Sequence, residues 1–95
     1  MSNPHAQDGV VLPSQITIRE AAKLRTQLLA ALSQPSERVD GTQVSRIDTA
    51  GIQVILAYVQ DRARAGRSVS WCAVSDALRD AAARLGLTQS LGLGS

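Results

Sequence analysis

The residues of this chain best placed to do chemistry together are Asp48, Thr49, Ala50 and Gly51, an acid and a hydroxyl followed by two very small side chains. Val44 and Ile47 precede them. Ile52, Ile55, Leu56, Val59 and Ala63 follow at helical spacing, so the tetrapeptide falls at a strand-to-helix junction. Asp48 or Thr49 can act there as the N-cap, its side-chain oxygen accepting from an amide of the first turn. A helix start of this kind also offers unpaired amides and a positive dipole end. It therefore suits recognition by a partner protein, or phosphorylation of the hydroxyl beside it.

A nucleotide-dependent role can be tested on the same residues. Asp-Thr-Ala-Gly also occurs in GTPases, as the segment that addresses magnesium and the terminal phosphate, but that chemistry needs a glycine-rich loop ending in Gly-Lys-Ser or Gly-Lys-Thr. The only lysine, Lys23, follows Ala21 and Ala22 with no glycine ahead of it. No nucleotide turnover and no cofactor are expected. His5 has no cysteine or histidine at ligand spacing, which argues against a metal site. Cys72 has no second histidine to activate it and reads as a small packed residue. Asp61, Arg62, Arg64 and Arg67 read as a solvated helix face, or failing that as a rim for an acidic partner. Asp76 and Asp80 read as surface. With no base, metal cluster or phosphate loop beside the hydroxyls, no catalytic residue is assigned and the chain is not expected to be an enzyme.

The elements that must hold the junction follow from periodicity. Met1 to Gly9 is a polar tail, and residues 10–95 form one domain. Val10, Val11 and Leu12 begin a strand, with Pro13 marking an edge or a bulge before Ile16. Thr17-Ile18-Arg19-Glu20 is a capping box opening a helix whose stripe is Ala21, Leu24, Leu28, Ala31 and Leu32. Gln34-Pro35-Ser36 stops it. A brief strand over Arg38 to Asp40 turns at Gly41, and Val44 to Ile47 leads into the junction. The second helix ends at Gly66. From Arg67 the period becomes two, with Val69, Trp71 and Ala73 on one side and Ser68, Ser70 and Cys72 on the other. Ser75 caps a third helix, in which Leu78, Ala81, Ala82 and Leu85 face inward and which Gly86 ends. Leu87, Leu91 and Leu93 form a short last segment. Trp71 and Leu56 are expected to meet in the core beneath the sheet. Alternating strands and helices call for an α/β fold, a parallel or mixed sheet flanked by helices.

Composition narrows the function classes. The chain is 44% hydrophobic and 19% charged, with net charge +2, which is ordinary for a globular domain. Trp71 and Tyr58 are its only aromatics, too few to stack successive bases, so nucleic acid is not an expected partner. A lone cysteine and a polar N-terminus lead to a cytoplasmic expectation. No apolar run approaches the roughly 20 residues of a membrane span, so direct insertion is not expected.

From Val10 to Leu93 the chain resembles the STAS family, the domain of sulfate transporters and anti-sigma factor antagonists. The resemblance is carried by Val10-Val11-Leu12, the capped helix Ile18 to Leu32, Val39-Asp40-Gly41, Val44-Ser45-Arg46-Ile47 running into Asp48-Thr49-Ala50-Gly51-Ile52, Ala65-Gly66-Arg67, Val74-Ser75 and Leu85-Gly86-Leu87. It implies a mixed β-sheet flanked by α-helices and a non-enzymatic interaction module, with Asp48, Thr49, Ala50 and Gly51 as the partner-binding residues. The usual anti-sigma antagonist has Asp-Ser-Ser-Gly there and is phosphorylated on the second hydroxyl residue. Ala50 stands at that position, so only Thr49 could accept the phosphate. Asp-Thr-Ala-Gly is more similar to the small STAS subunit of bacterial phospholipid-transport ABC complexes, where the matching threonine contacts the ATPase subunit. It also resembles solitary STAS proteins linked to chemotaxis or two-component systems. The implied partner is thus an ABC ATPase subunit, an anti-sigma kinase or another signalling component. Homodimerisation through the exposed strand stays open.

Overall fold

The computed structural model describes residues 9–33 and 38–93. The tail residues Met1 to Asp8, with His5, and the expected stop Gln34-Pro35-Ser36 lie outside them. In chain order the elements are β1 (Val10–Val11), β2 (Gln15–Ile16), α1 (Ile18–Ala31), β3 (Arg38–Gly41), β4 (Arg46–Ile47), α2 (Thr49–Arg64), β5 (Ser70–Val74) and α3 (Asp76–Arg84). Strands β1, β3 and β5 form one sheet in that order, β2 and β4 a second, and every pairing among the described residues is parallel. The α/β class is as expected.

Proline explains why the first strand is divided. The Leu12 amide still donates to the Asp40 carbonyl at 2.9 Å, continuing the β1–β3 ladder. Pro13 has no amide to give, and beyond it the chain joins β4 instead, pairing Gln15 with Arg46 and Ile16 with Ile47. The short β2–β4 pair then delivers the chain into α1 on one side and α2 on the other.

Those two helices are tied at both ends by side chains of α2 and the residue that caps it. The Asp48 carboxylate accepts the Ile18 amide at the start of α1 at 2.9 Å, and the Arg62 guanidinium donates to the Ala31 carbonyl at its end at 3.2 Å. The helices therefore run parallel, side by side. An acid meets an orphan amide and a base meets an orphan carbonyl, each sign matching the dipole it faces. Arg62 is 1% exposed, and its guanidinium carbon lies 5.8 Å from the Tyr58 ring centroid, a cation–π distance. The expectation that Arg62 belongs to a solvated face is corrected, because its position on α2 turns toward the end of α1. Arg64 and Asp61 do form a surface pair, at 3.2 Å.

The core is built from Leu12, Ile16, Leu24, Leu28, Val39, Val44, Ile52, Ile55, Tyr58, Leu78 and Leu91, all essentially buried. The capping box is present in full, and Leu24, Leu28 and Ala31 are its helix's buried face, as expected. Three details differ. Trp71 and Leu56 are half-buried, packed against the core rather than inside it. The Trp71 indole reaches out to donate 2.8 Å to the Leu91 carbonyl, pinning the last segment to β5. Ala63 and Leu85, each expected to face inward, are exposed. Most instructive is β5. Val39 pairs with Trp71 but Asp40 pairs with Ala73, so Cys72 is an extra residue with nothing opposite. This bulge shifts the alternation by one: Trp71 and Val74 turn inward, while Ala73 and Cys72 are exposed. Cys72 is thus not a packed residue, and its sulfur accepts from Arg38 Nε at 3.3 Å.

Candidate functional site

The junction at the start of α2 is shaped by the use of both oxygens of one carboxylate. Asp48 is extended at φ −114 and ψ −176, the geometry of an N-cap. Its Oδ1 accepts the Gly51 amide at 3.0 Å, and its Oδ2 accepts the Ile18 amide of α1 at 2.9 Å. The Gly51 bond is the main reason the Asp48 carboxyl is held below the usual aspartate value of 3.8, and the Ile18 and Ala50 amides act in the same direction. Of the two candidate caps, Asp48 is the one used. Both oxygens of the acid are thus committed to helix amides, and among the described residues no group of three or more metal-ligating side chains converges.

Gly51 owes its presence to packing. It is buried, and a Cβ there would strike the Ile16 carbonyl oxygen and come within 2.8 Å of Ile16 Cγ2. The absent side chain is what lets α2 start against β2. Ala50 is half-buried. Thr49, the first helical residue, is exposed, and its hydroxyl makes no hydrogen bond among the described residues. Of the four residues expected to form the site, the structure brings one hydroxyl to the surface and uses its neighbours to place it.

Two shallow concavities open beside the start of α2. One, of ≈ 230 Å³, lies between α2 and α3 and is lined by Ile47, Thr49, Ile52, Arg84 and Leu85. The other, of ≈ 510 Å³, lies toward α1 and is lined by Thr17, Ile18, Arg19, Arg46 and Asp48. Ile18 is 73% exposed and Leu85 42%, so each side carries a large uncovered apolar group beside arginines. Two acids of this face are engaged, since Glu20 accepts the Thr17 hydroxyl and amide and Asp48 accepts an amide from each helix, while Asp80 lines a neighbouring concavity with Arg46 and Arg84. Arg19, Arg46 and Arg84 were not singled out from sequence, since they lie on three elements that come together only through the pairing of β2 with β4 and the packing of α3 against β4. Arg62, Arg64 and Arg67 lie at or beyond the far end of α2, roughly 20 Å away at 1.5 Å per residue.

Residues 2–94 match the family described as "Mlab, STAS domain". The chain belongs to the STAS family. Nothing among the curated proteins or the solved structures matches it significantly. STAS domains are in general regulatory and interaction modules, and the described residues of this one form parallel sheets with three helices. None of the helices among the described residues of this STAS domain is long and apolar enough to cross a membrane.

Proposed function

We propose that this STAS domain is a non-enzymatic, cytoplasmic regulatory subunit that docks a partner protein through the start of α2, with Thr49 at the centre of the contact. The observation that carries the reading is the Thr49 hydroxyl itself. It is exposed, makes no hydrogen bond among the described residues, and lines the concavity edged by Leu85, while the one edged by Ile18 begins at the neighbouring Asp48. Asp48 and Gly51 support the contact from beneath, one by holding two helix starts together and the other by letting them approach. The partner class favoured is the ATPase subunit of an ABC lipid transporter, because Ala50 stands where the phosphorylated hydroxyl of an anti-sigma antagonist would be. A second reading keeps that signalling role with Thr49 as the phosphate acceptor, and the same free hydroxyl, with Arg84 lining the adjoining concavity, favours it. Photocrosslinking from position 49 in cells that carry the gene separates the two. ABC ATPase subunits are expected in the crosslinked band, anti-sigma or histidine kinases would select the second reading, and a band appearing from position 64 but not from 49 would refute the site.

A further inference from the structure

A second surface lies away from Thr49, on the outer face shared by α1 and α2. Leu28, Leu32, Val54 and Ala57 line a small concavity of ≈ 100 Å³ there, and Leu29, 53% exposed, stands at its edge as an uncovered apolar knob. Its two charged lining residues have opposite sign, Arg25 from α1 and Asp61 from α2.

The positions of those charges select the occupant. Ile18 bonds across to Asp48 and Ala31 to Arg62, so residues of α1 lie level with α2 residues 30 to 31 positions later. Asp61 is therefore level with Ala30 or Ala31, about six residues beyond Arg25, which is roughly 9 Å along the helix. Packed helix axes are separated by a similar distance, about 8–10 Å. Arg25 and Asp61 thus occupy opposite corners of a near-square patch with the apolar concavity at its centre. A twofold axis lying in the face, along the other diagonal, superposes the concavities of two copies and sets each Arg25 against the other copy's Asp61. The patch is complementary to itself, which is what an isologous contact requires. Asp61 already pairs with Arg64, but that pair is surface-exposed, at 77% and 39%, and is easily exchanged.

We infer that the occupant of this face is a second copy of the chain, giving a homodimer in which the helix pairs cross at a steep angle. The Thr49 faces lie at the ends of the α2 helices and stay open, so the dimer offers two docking sites.

Sedimentation equilibrium under reducing conditions, which removes any disulfide through the exposed Cys72, tests this on the whole chain. Each variant is first shown to melt as the wild type does. Wild type is expected to dimerise reversibly, and Leu29→Glu to stay monomeric. Arg25→Asp and Asp61→Arg should each weaken association by about tenfold, since every reversal turns two symmetry-related attractions into repulsions. The double variant Arg25→Asp/Asp61→Arg should regain wild-type association. A wild type that remains monomeric into the millimolar range overturns the proposal and leaves the face to a different protein. A dimer indifferent to Leu29→Glu, or a double variant as weak as the singles, overturns it equally.

Discussion

Asp48 holds two amides from two helices on its two oxygens, and the ionised carboxylate is the form that does so. Its proton affinity is lowered chiefly by the Gly51 amide. The carboxyls of Asp40 and Glu20 are lowered too, the first mainly by the Thr42 hydroxyl and the second mainly by that of Thr17. A group whose value is lower in the folded chain than in the unfolded one adds stability that is fully present above the unfolded value. That stability is lost as the pH falls through the folded one. Melting followed by circular dichroism should therefore show a transition temperature that is flat near neutrality and declines in acid, beginning at about pH 4. Asp48→Asn keeps one acceptor oxygen but no charge. It should melt lower than wild type at neutral pH and lose less on acidification, so that the two curves converge. Parallel curves would mean that the double cap contributes nothing. From sequence the cap was legible as Asp48 or Thr49, because a short acceptor side chain just before a helical pattern is a local signal. The second bond was not, because Ile18 comes beside Asp48 only through the pairing of β2 with β4.

Among the elements, α1 and its capping box could be read directly, since each contact within them spans no more than one turn. Two of the misread features, Arg62 and β5, depend on distant partners. Arg62 is buried because the end of α1, 31 residues earlier, arrives beside it. Cys72 and Ala73 are exposed because β3 pairs with β5 around a bulge that the period-two pattern of the strand does not announce. The arginines of α2 provide a test at this scale. Arg62→Ala removes a buried charge-assisted bond to Ala31, the contact with Tyr58 and a large side-chain volume, and should cost about 2–4 kcal/mol in urea unfolding. Arg64→Ala removes only an exposed pair and should change stability by less than about 0.5 kcal/mol. Similar losses for the two variants would return Arg62 to the solvated face first assigned to it.

As a whole molecule, the domain sets two parallel helices against short parallel strands so that the start of α2 is rigid underneath and open on top. Rigidity comes from Asp48 and Gly51, and openness from the uncommitted Thr49 hydroxyl with Ile18 and Leu85 on either side. This division separates docking from folding, because the Thr49 hydroxyl makes no hydrogen bond among the described residues. Thr49→Ala should alter stability by less than about 0.5 kcal/mol, as surface changes do. Thr49→Glu places its charge at a helix N-terminus, where negative charge is tolerated. The deciding measurement is calorimetric titration of the partner crosslinked from position 49 against wild type, Thr49→Ala and Thr49→Glu, each shown to be folded at the assay temperature. Affinity is expected to fall with alanine and to fall further with glutamate while the three melting temperatures stay together. Equal affinity across the three proteins would contradict docking at Thr49.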